Sequence, residues 1–425
     1  MSIKTLLHAD VITLLVVRNI AFLLLKAFFL FSSASVFSSD ITETSKLTIS
    51  DDPASDPFGE SVDIGAEQST RASSNGMKAK SRAMPWIPLL LFSPDDPGTQ
   101  LPSLTVHDAE LLYEDSEIPF NFDGSFATLR KSNTEFYYWH TWGETHYKYH
   151  GPLDDPLQTL DWVKTASDLI NFNGKADPVT DRIMIYNIYK RSNGDLLGFC
   201  HIEKYDFSDI SNPEFAIGLI YSSNNGDDWT YGGEIIRPQT DTENIGGVPY
   251  LVVGDYFYVY FNEKSINSPD RITGVARANI NDVLNAAASG NVTSWKKFNS
   301  GTWTEDGLMG AGSNVLPVAG FPYDVHSDAA YNRPLKKYML TVQTHNLGQL
   351  LLYTSNDGIN WKDQIIIDET DDNNFIQAYS FFAGLEDSTD DCREVGSEFY
   401  IFFPRKDWPD AYHYDEFYRR FITFE

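Results

Sequence analysis

The stretch Leu196–Glu203, with the sequence Leu-Leu-Gly-Phe-Cys-His-Ile-Glu, is typical of a β-strand whose C-terminal end carries an imidazole and a carboxylate. Successive side chains of a strand point to opposite faces, so Phe199, His201 and Glu203 share one side and the residues between them take the other. The apolar ring of this set is suited to packing, and the two polar groups project beyond it. We therefore expect a strand end that offers chemistry on one face.

The same pattern recurs along the chain. Five aromatic or apolar runs end in polar groups, and their centres are separated by 61, 59, 82 and 61 residues. They are Glu135–His140, Leu196–Glu203, Tyr256–Glu263, Lys337–Thr344 and Glu398–Arg405. The one long interval contains Asn281–Gly290, which we predict to be a short helix between strands. A repeat of this length decides the architecture before local detail does.

Each run lies next to further strand-like segments across turns rich in Asn, Gly, Asp and Pro. Segments that precede the runs are Gly124–Arg130, Arg182–Tyr189, Val248–Val253, Asp328–Tyr331 and Tyr379–Leu385. Five units of three or four antiparallel strands predict an all-β fold, a five-bladed β-propeller. The last unit ends after its third strand, whereas Leu104–Tyr113 has no blade of its own. We predict that this N-terminal strand joins the last blade and closes the ring, which removes the open sheet edges.

The N-terminal segment predicts the cellular compartment of the protein. Residues 1–37 contain an apolar run interrupted by Arg18 and Lys26, too short for a spanning helix, so we interpret them as a signal peptide or N-terminal anchor. Residues 38–85 are polar without an apolar period and predict a disordered linker or pro-segment. The folded domain is expected at residues 86–425, and the protein is expected to be secreted or extracellular, with a periplasmic or cell-surface location as variants.

Charge and cysteine content exclude some partners. The net charge of −28 would repel nucleic acid, and no membrane contact is expected beyond the N-terminal segment. The two cysteines cannot build a disulfide framework. Aromatic residues make up 14% of the chain and suit both pleated sheets and the stacking of sugars. We expect a monomer with a carbohydrate substrate.

Two segments, Ser222–Trp229 and Thr354–Trp361, match the template Ser/Thr-x-Asn-x-Gly-x-x-Trp. They resemble the Asp-box of sialidases and other glycan-active propellers, with Asn where Asp is usual. The resemblance implies a polar turn between the third and fourth strands of a blade, with the Trp packed between sheets. It implies a structural role and no catalysis.

From about Leu104 to Glu425 the chain resembles the five-bladed glycoside hydrolases of the family 43 type, such as arabinanases and xylosidases. Six-bladed sialidases fit less well, because neither a sixth unit nor a Phe-Arg-Ile-Pro box is found. The family resemblance implies three carboxylates near a central funnel: a base, an acid and an acid that tunes its pKa. Asp123 corresponds in position to the base, and Glu243 stands roughly where the acid glutamate is placed.

Propeller geometry selects candidates without the family. If the innermost strand of each blade runs from the funnel mouth to the far face and the second strand returns, then first-strand starts and second-strand ends meet at the mouth. The rule selects Asp123, Asp177, Asp181, Glu243, His140, His201, Glu203, Asn262, Glu263, Arg405, Asp324, His326 and Asp328.

Glycosidic cleavage requires a protonated acid and an ionised carboxylate whose pKa values are pushed apart by their surroundings. We assign Glu203, beside His201 and under an aromatic ring, as the acid with a raised pKa, and Asp123, near an open turn, as the ionised base. The catalytic candidates are Asp123, Glu203, Asp328 and Glu243. The substrate-binding candidates are Trp139, His140, His201, His326, Tyr331 and Arg405, with Trp142 as a second ring for stacking.

Other functions stay open. A polysaccharide lyase would use His201 or Tyr331 as the base and Arg405 to neutralise a uronate carboxylate. A non-catalytic carbohydrate-binding propeller would use the same mouth. No catalytic metal or cofactor is predicted, because no tight ligand spacing supports a site built from His201, Glu203, His326 and Asp328, although a structural Ca²⁺ in the funnel is compatible with these groups.

Overall fold

A computed structural model describes residues 104–122, 124–177, 179–206, 209–239, 245–264, 271–317, 323–324, 327–344, 348–370, 374–376, 380–385, 387–407 and 416–424. These residues belong to the second of two units of the chain, Trp86–Glu425. The predicted signal and linker segments lie outside the described residues, as do Asp123, Glu243 and His326.

Strands dominate the described residues and form five sheets that are the five blades of a β-propeller. The chain begins with β1 (Leu104–Glu114) and a 3-10 turn (Asp115–Glu117). Blade 1 contains β2 (Ala127–Arg130), β3 (Phe136–Trp142), β4 (Thr145–Gly151) and β5 (Thr159–Thr165), paired in that order. Blade 2 follows helix α1 (Ala166–Leu169) and contains β6 (Ile170–Asn171), β7 (Asp181–Lys190), β8 (Leu196–Asp206), β9 (Asp209–Ser222) and β10 (Trp229–Ile236).

Blade 3 carries the predicted helical insertion between its third and fourth strands. Its elements are β11 (Ile245–Gly246), β12 (Tyr250–Val253), β13 (Tyr256–Lys264), β14 (Arg271–Asn279), helix α2 (Ile280–Ala288), β15 (Lys296–Asn299) and β16 (Thr302–Asp306). The side chain of Asn279 caps α2 by accepting from the amides of Asn281 and Asp282. No helix in the described part of the chain is long and apolar enough to cross a membrane.

Blades 4 and 5 complete the ring. Blade 4 contains β17 (Tyr323–Asp324), β18 (Ala329–Asn332), β19 (Lys337–Thr344), β20 (Gln349–Ser355) and β21 (Trp361–Glu369). Blade 5 contains β22 (Asn374–Ile376), β23 (Phe381–Gly384), β25 (Glu398–Asp407) and β26 (Glu416–Phe424), while β24 (Glu394–Val395) pairs in parallel with β18 of blade 4.

The predicted closure of the ring is confirmed. Strand β1 pairs with β26 in antiparallel register, from Leu104 opposite Phe424 to Glu114 opposite Glu416. The Arg419 guanidinium lies 2.7 Å from the Glu110 carboxylate across this pair. The first described strand therefore supplies the outer strand of the blade that the last strands build.

Aromatic side chains fill the space between neighbouring blades. Between blades 5 and 1, the rings of Phe381, Phe402 and Phe417 pack with Phe122 and Phe126 in one buried cluster. The alternation of side chains along each strand places such rings on the faces that meet the next blade. This packing explains the high aromatic content that the sequence shows.

The two turns that match one sequence template differ in detail. In the first, the Ser222 hydroxyl accepts from the Gly226 amide at 3.0 Å, and the buried Trp229 donates to the Gly226 carbonyl at 3.1 Å. In the second, the Ser355 hydroxyl accepts from the Gly358 amide at 3.0 Å and the Asp357 carboxylate from the amides that follow. In the first turn, the serine and the glycine whose amide it binds are four residues apart, whereas in the second turn they are three residues apart. The second turn is therefore one residue tighter than the shared template predicted.

One segment runs along the propeller axis, residues 387–397 between β23 and β25, which we call the axial loop. Groups from the innermost strands of the other four blades, or from residues beside them, hold this loop by hydrogen bonds or ion pairs. They are the Arg130 amide, the Lys190 ammonium, the Tyr250 hydroxyl and the Asp328 carboxylate. The loop meets the C-terminal ends of β2, β7 and β18, and therefore contacts these innermost strands at the far edge.

Candidate active site

We call the edge at which first strands begin and second strands end the mouth edge. In blade 2, β7 begins and β8 ends there, and their register sets Arg182 directly opposite Glu203. Directly opposed side chains of an antiparallel pair interact, and here a guanidinium nitrogen lies 3.6 Å from a Glu203 oxygen. Strand pairing therefore joins a cation to the predicted catalytic carboxylate.

Three groups surround the Glu203 carboxylate, whose side chain is 14% exposed. The His201 Nε2 atom lies 3.5 Å from Oε1, the Tyr205 hydroxyl donates to Oε2, and Arg182 approaches the same oxygen. Burial raises the pKa of Glu203, but the hydrogen bond and charge of His201, the Tyr205 hydroxyl and the Arg182 charge outweigh burial and leave this pKa below its ordinary value. The predicted raised pKa is wrong, and Glu203 is ionised at neutral pH.

Aromatic rings hold the His201 imidazole in place. It is stacked on Tyr186, with ring centroids 5.8 Å apart and an angle of 11°, and on Phe215, at 5.6 Å and 28°. The imidazole itself is buried. Because the imidazole packs against two rings, its orientation is fixed. Its Nε2 atom therefore positions the Glu203 carboxylate.

The residues that flank Asp123 are fixed against the same stack. A Cβ atom at Gly124 would lie 1.9 Å from a Tyr186 ring carbon, so only glycine allows this approach. The Ser125 hydroxyl donates to the Tyr186 carbonyl at 3.1 Å, and Phe122 is fully buried. One ring, that of Tyr186, therefore separates the backbone next to Asp123 from His201. The structure brings the first strand of blade 1 close to the Glu203 cluster.

Trp139 and His140, both predicted to bind substrate, are buried between blades. The Trp139 ring meets Gly226 of blade 2, where a Cβ atom would lie 2.8 Å away. His140 lies among phenylalanines, 4.4 Å from Phe120 and 4.7 Å from Phe126 between centroids, and donates from Nε2 to the Asn121 carbonyl. Burial lowers the pKa of His140 to about 4, although this hydrogen bond acts in the opposite direction. Neither side chain presents a surface to a sugar in this structure.

Asp328 lies on the axis and is fully buried. Both of its oxygens accept from the Arg393 guanidinium of the axial loop, and one also accepts from the Phe382 amide at 3.0 Å. The guanidinium in turn lies 5.0 Å from the centroid of the Tyr250 ring. These contacts make Asp328 the anchor of the loop, in contrast to the open position at the mouth that was expected of it.

Tyr331 and Arg405 also lie apart from Glu203. Tyr331 is near the far-edge end of β18, where its ring packs on Tyr338 with centroids 5.0 Å apart. Arg405 ends near the mouth edge, but its guanidinium donates two hydrogen bonds of 2.8 Å to the buried carboxylate of Asp368 in the outer strand of blade 4. It points away from the axis. Tyr331 and Arg405 therefore do not form the pair of a base and a cation that a lyase would need.

Glu263, which the mouth rule also selects, forms a buried ion pair. The Lys297 ammonium donates to its carboxylate at 2.9 Å and to the Arg237 carbonyl at 2.7 Å. Burial raises the pKa of Glu263 despite the Lys297 charge, and burial lowers the pKa of Lys297. With both groups almost fully buried, this pair joins β13 to β15.

Arg182, Tyr205 and Tyr186 were missed by the sequence analysis. Strand alternation places Tyr205 on the side of Glu203, and this was the available signal. The described residues contain no group of three His, Cys, Asp or Glu side chains that could hold a metal ion. The structural Ca²⁺ stays a prediction.

No protein-family model matches this chain, and no curated protein matches it. Solved structures similar to it include a family 117 glycoside hydrolase from Zobellia galactanivorans, with 10% identity over 76% of this chain and 91% of that chain and a TM-score of 0.44. Two others are the catalytic domain of a GH62 α-L-arabinofuranosidase from Coprinopsis cinerea (7% identity, 76% and 97% covered, TM-score 0.41) and an α-L-arabinanase from Penicillium chrysogenum (9%, 75% and 98%, 0.39). TM-scores below 0.5 carry no argument about activity, so function is argued from the site.

Proposed function

We propose that this protein is a glycoside hydrolase that binds a carbohydrate at the mouth edge of the propeller and cleaves it with Glu203 as the ionised carboxylate. The observation that carries the proposal is the Glu203 cluster itself: a partly exposed carboxylate kept ionised by His201, Tyr205 and Arg182. An ionised carboxylate suits activation of a water molecule, attack on the anomeric carbon or stabilisation of an oxocarbenium-like transition state.

The second carboxylate of the pair comes from the candidates that lie outside the described residues. Asp123 is favoured, because its neighbour Gly124 packs on the ring that also stacks on His201. Glu243 is the other candidate for the protonated acid. The roles first expected for Asp123 and Glu203 are thereby exchanged.

Sugar stacking falls to Trp142 in place of Trp139. Trp142 ends β3 at the mouth edge, and its side chain is 42% exposed. An exposed indole at the mouth edge suits the apolar face of a sugar ring. We further propose that the protein is secreted, acts as a monomer and needs no cofactor.

The test is a screen of the purified protein against a panel of polysaccharides, measuring both new reducing ends and ultraviolet absorbance. We expect reducing ends without added absorbance, and a loss of at least about 100-fold in rate for Glu203→Gln, the usual range for an acid, a base or a nucleophile. The matched control is Glu398→Gln, an exposed glutamate at the far-edge start of β25, which should keep full activity.

Three results would contradict the proposal. Full activity of Glu203→Gln, with an unchanged circular dichroism spectrum, would remove Glu203 from the chemistry. Products that absorb in the ultraviolet would show β-elimination and hence a lyase. Binding of a glycan without any cleavage would mean that the protein is a non-catalytic carbohydrate-binding propeller.

A further inference from the structure

A sequence motif for covalent modification lies outside the proposed catalytic centre. Asn291-Val292-Thr293 has the form Asn-x-Ser/Thr, in which the middle residue is not proline, and this is the acceptor motif for N-linked glycosylation of secreted proteins. The motif occurs once in the 425 residues, so an N-linked glycan would report on one position. Such a triplet also arises by chance, and its place in the fold decides whether it is a usable acceptor.

The motif follows helix α2 directly, in the connection to β15. The amides of Gly290 and Asn291 donate to the carbonyls of Ala287 and Ala286, both at 2.9 Å. Gly290 has a φ of 66°, the left-handed conformation that commonly ends a helix. Residues 291–295 beyond it form neither helix nor strand, and Asn291 is exposed. The acceptor side chain is therefore displayed on a surface connection.

Two hydrogen bonds fix the Asn291 side chain in an arrangement that glycosylation preserves. Its Nδ2 atom donates to the Ser289 carbonyl at 3.0 Å, and its Oδ1 atom accepts from the Lys175 ammonium at 2.9 Å. A primary amide nitrogen carries two hydrogens, and the Ser289 contact uses one of them. Replacement of the other hydrogen by a sugar leaves one N–H for Ser289 and the oxygen for Lys175. Glycosylated Asn291 therefore fits the folded protein as it stands.

Blade 2 holds the same segment from the other side. The Lys175 ammonium also donates to the carbonyls of Gly290 and Gly232, the latter at 3.0 Å. A Cβ atom at Gly232 would lie 3.1 Å from the Asn291 carbonyl oxygen, so the glycine allows the segment to approach β10 closely. These contacts place Asn291 on the outside of the ring, where blades 2 and 3 meet.

This position is remote from the Glu203 cluster. Strand β10 lies two strands further out than β8 in the sheet of blade 2. Through β9, Gly233 of β10 is level with Phe199 of β8. Glu203 lies four residues beyond Phe199 towards the mouth edge, roughly 13 Å along the strand. A glycan on Asn291 would extend from the outer wall of the propeller and leave the mouth edge open.

We propose that Asn291 receives an N-linked glycan when the chain enters the secretory pathway of a eukaryotic cell. The donor is an oligosaccharide linked to a polyprenyl diphosphate, and a transferase of that pathway supplies the catalysis. A bond forms between Nδ2 of Asn291 and the anomeric carbon, the bond from this carbon to the diphosphate oxygen breaks, and Nδ2 loses one proton. The inference rests on the proposed secretion of the protein and is independent of the proposed hydrolysis of polysaccharides.

The test is expression of the full chain in eukaryotic cells and treatment of the secreted protein with peptide N-glycosidase F. We expect wild type to migrate faster in electrophoresis after treatment, and mass spectrometry to find Asn291 converted to aspartate. Thr293→Val removes the motif but keeps the Asn291 side chain, and should lose the shift in migration completely. Thr293→Ser keeps the motif and is the matched control, which should keep the shift.

Two results would overturn the proposal: a secreted wild type whose migration the enzyme does not change, and a shift that persists in Thr293→Val. If the chain is not secreted, the signal peptide of a secreted protein replaces residues 1–37, and an unmodified Asn291 in that protein would overturn the proposal equally. Polysaccharide cleavage is measured on the same samples and should be equal in wild type and Thr293→Val. Glycosylated wild type that cleaves no polysaccharide would contradict the hydrolase alone.

Discussion

Gly124 shows how much one residue type decides at this site. The sequence rule selected Asp123 before the first inner strand, and an Asp-Gly pair is by itself typical of a turn. The structure gives a different reason for the glycine, which is the contact of its backbone with the Tyr186 ring. Because Tyr186 also stacks on His201, this contact connects the position of Asp123 with that of Glu203.

Gly124→Ala tests this connection. The new methyl group would meet three Tyr186 ring atoms at 1.9 to 2.6 Å, so the ring or the backbone must move. Overpacking of this kind costs about 1–3 kcal/mol, and we expect a loss of that size in the free energy of unfolding together with a loss of glycan cleavage. Urea unfolding measures the first and reducing-end release the second. Gly124→Ala with Tyr186→Leu should recover part of the stability; a single variant as stable and active as wild type would refute the contact.

The sequence correctly predicted which residues share a face of β8, but the predicted direction of the Glu203 pKa shift was wrong. Alternation along β8 correctly set His201 and Glu203 on one side, because that depends only on strand geometry. The pKa of Glu203 is lowered first by the hydrogen bond and charge of His201 and then by the Tyr205 hydroxyl and the Arg182 charge, which together outweigh burial. Arg182 comes to lie opposite Glu203 through the register of β7 and β8. Pairing register cannot be obtained from one strand alone. The same lack explains why Arg405 was expected at the axis, whereas it pairs with Asp368.

At the scale of elements, the second strands of all five blades and helix α2 agree with their predicted positions. Their long apolar runs and the regular period allowed them to be predicted from the sequence. The axial loop was not predicted, because its acidic and polar sequence resembles a solvent-exposed connection. Asp391, Cys392 and Arg393 are nonetheless buried, since charged groups can be buried when each finds partners.

Strand β1 makes the clearest prediction at this scale. A chain that starts at Asp115 lacks β1 and leaves the β26 edge open, with half-buried Leu104 and Val106 missing from their apolar cluster. We expect this chain to lose its cooperative thermal transition and to aggregate, as open strand edges do. A chain that starts at Trp86 keeps β1 and is the control. If both melt at the same temperature, β1 is dispensable.

For the whole molecule, two buried histidines predict acid sensitivity. Burial lowers the pKa of His140 to about 4 and that of His146 to about 3, both from an ordinary value of 6.5. The folded state binds these protons less readily than the unfolded state. The contribution of these two neutral histidines to the free energy of unfolding is therefore complete above pH 6.5 and is lost as the pH falls towards about 4 and then 3. Each histidine contributes roughly 3 kcal/mol or more to this loss.

His146→Asn should reduce the slope of this loss. The asparagine keeps a polar partner for the Thr141 hydroxyl, which lies 3.0 Å from His146 Nδ1, but cannot be protonated. Urea unfolding between pH 7 and 4 measures the slope. His150→Asn, on the same strand and paired with Asp161 at 2.8 Å, is the control and should keep the acid-induced fall. An unchanged slope in His146→Asn would mean that other groups cause the acid sensitivity.

The pairing of β1 with β26 sets an order of events during synthesis. His107 and Thr423 lie 316 residues apart in the chain, yet their side chains meet at 3.4 Å. A ribosome makes β1 before any blade and β26 after the other strands of blade 5, so the fifth sheet cannot be completed until β26 has emerged. Contacts between such distant residues also slow folding. The first strand of the propeller must therefore wait for its partner β26 until the strands of all five blades have been made, and only then can the ring close.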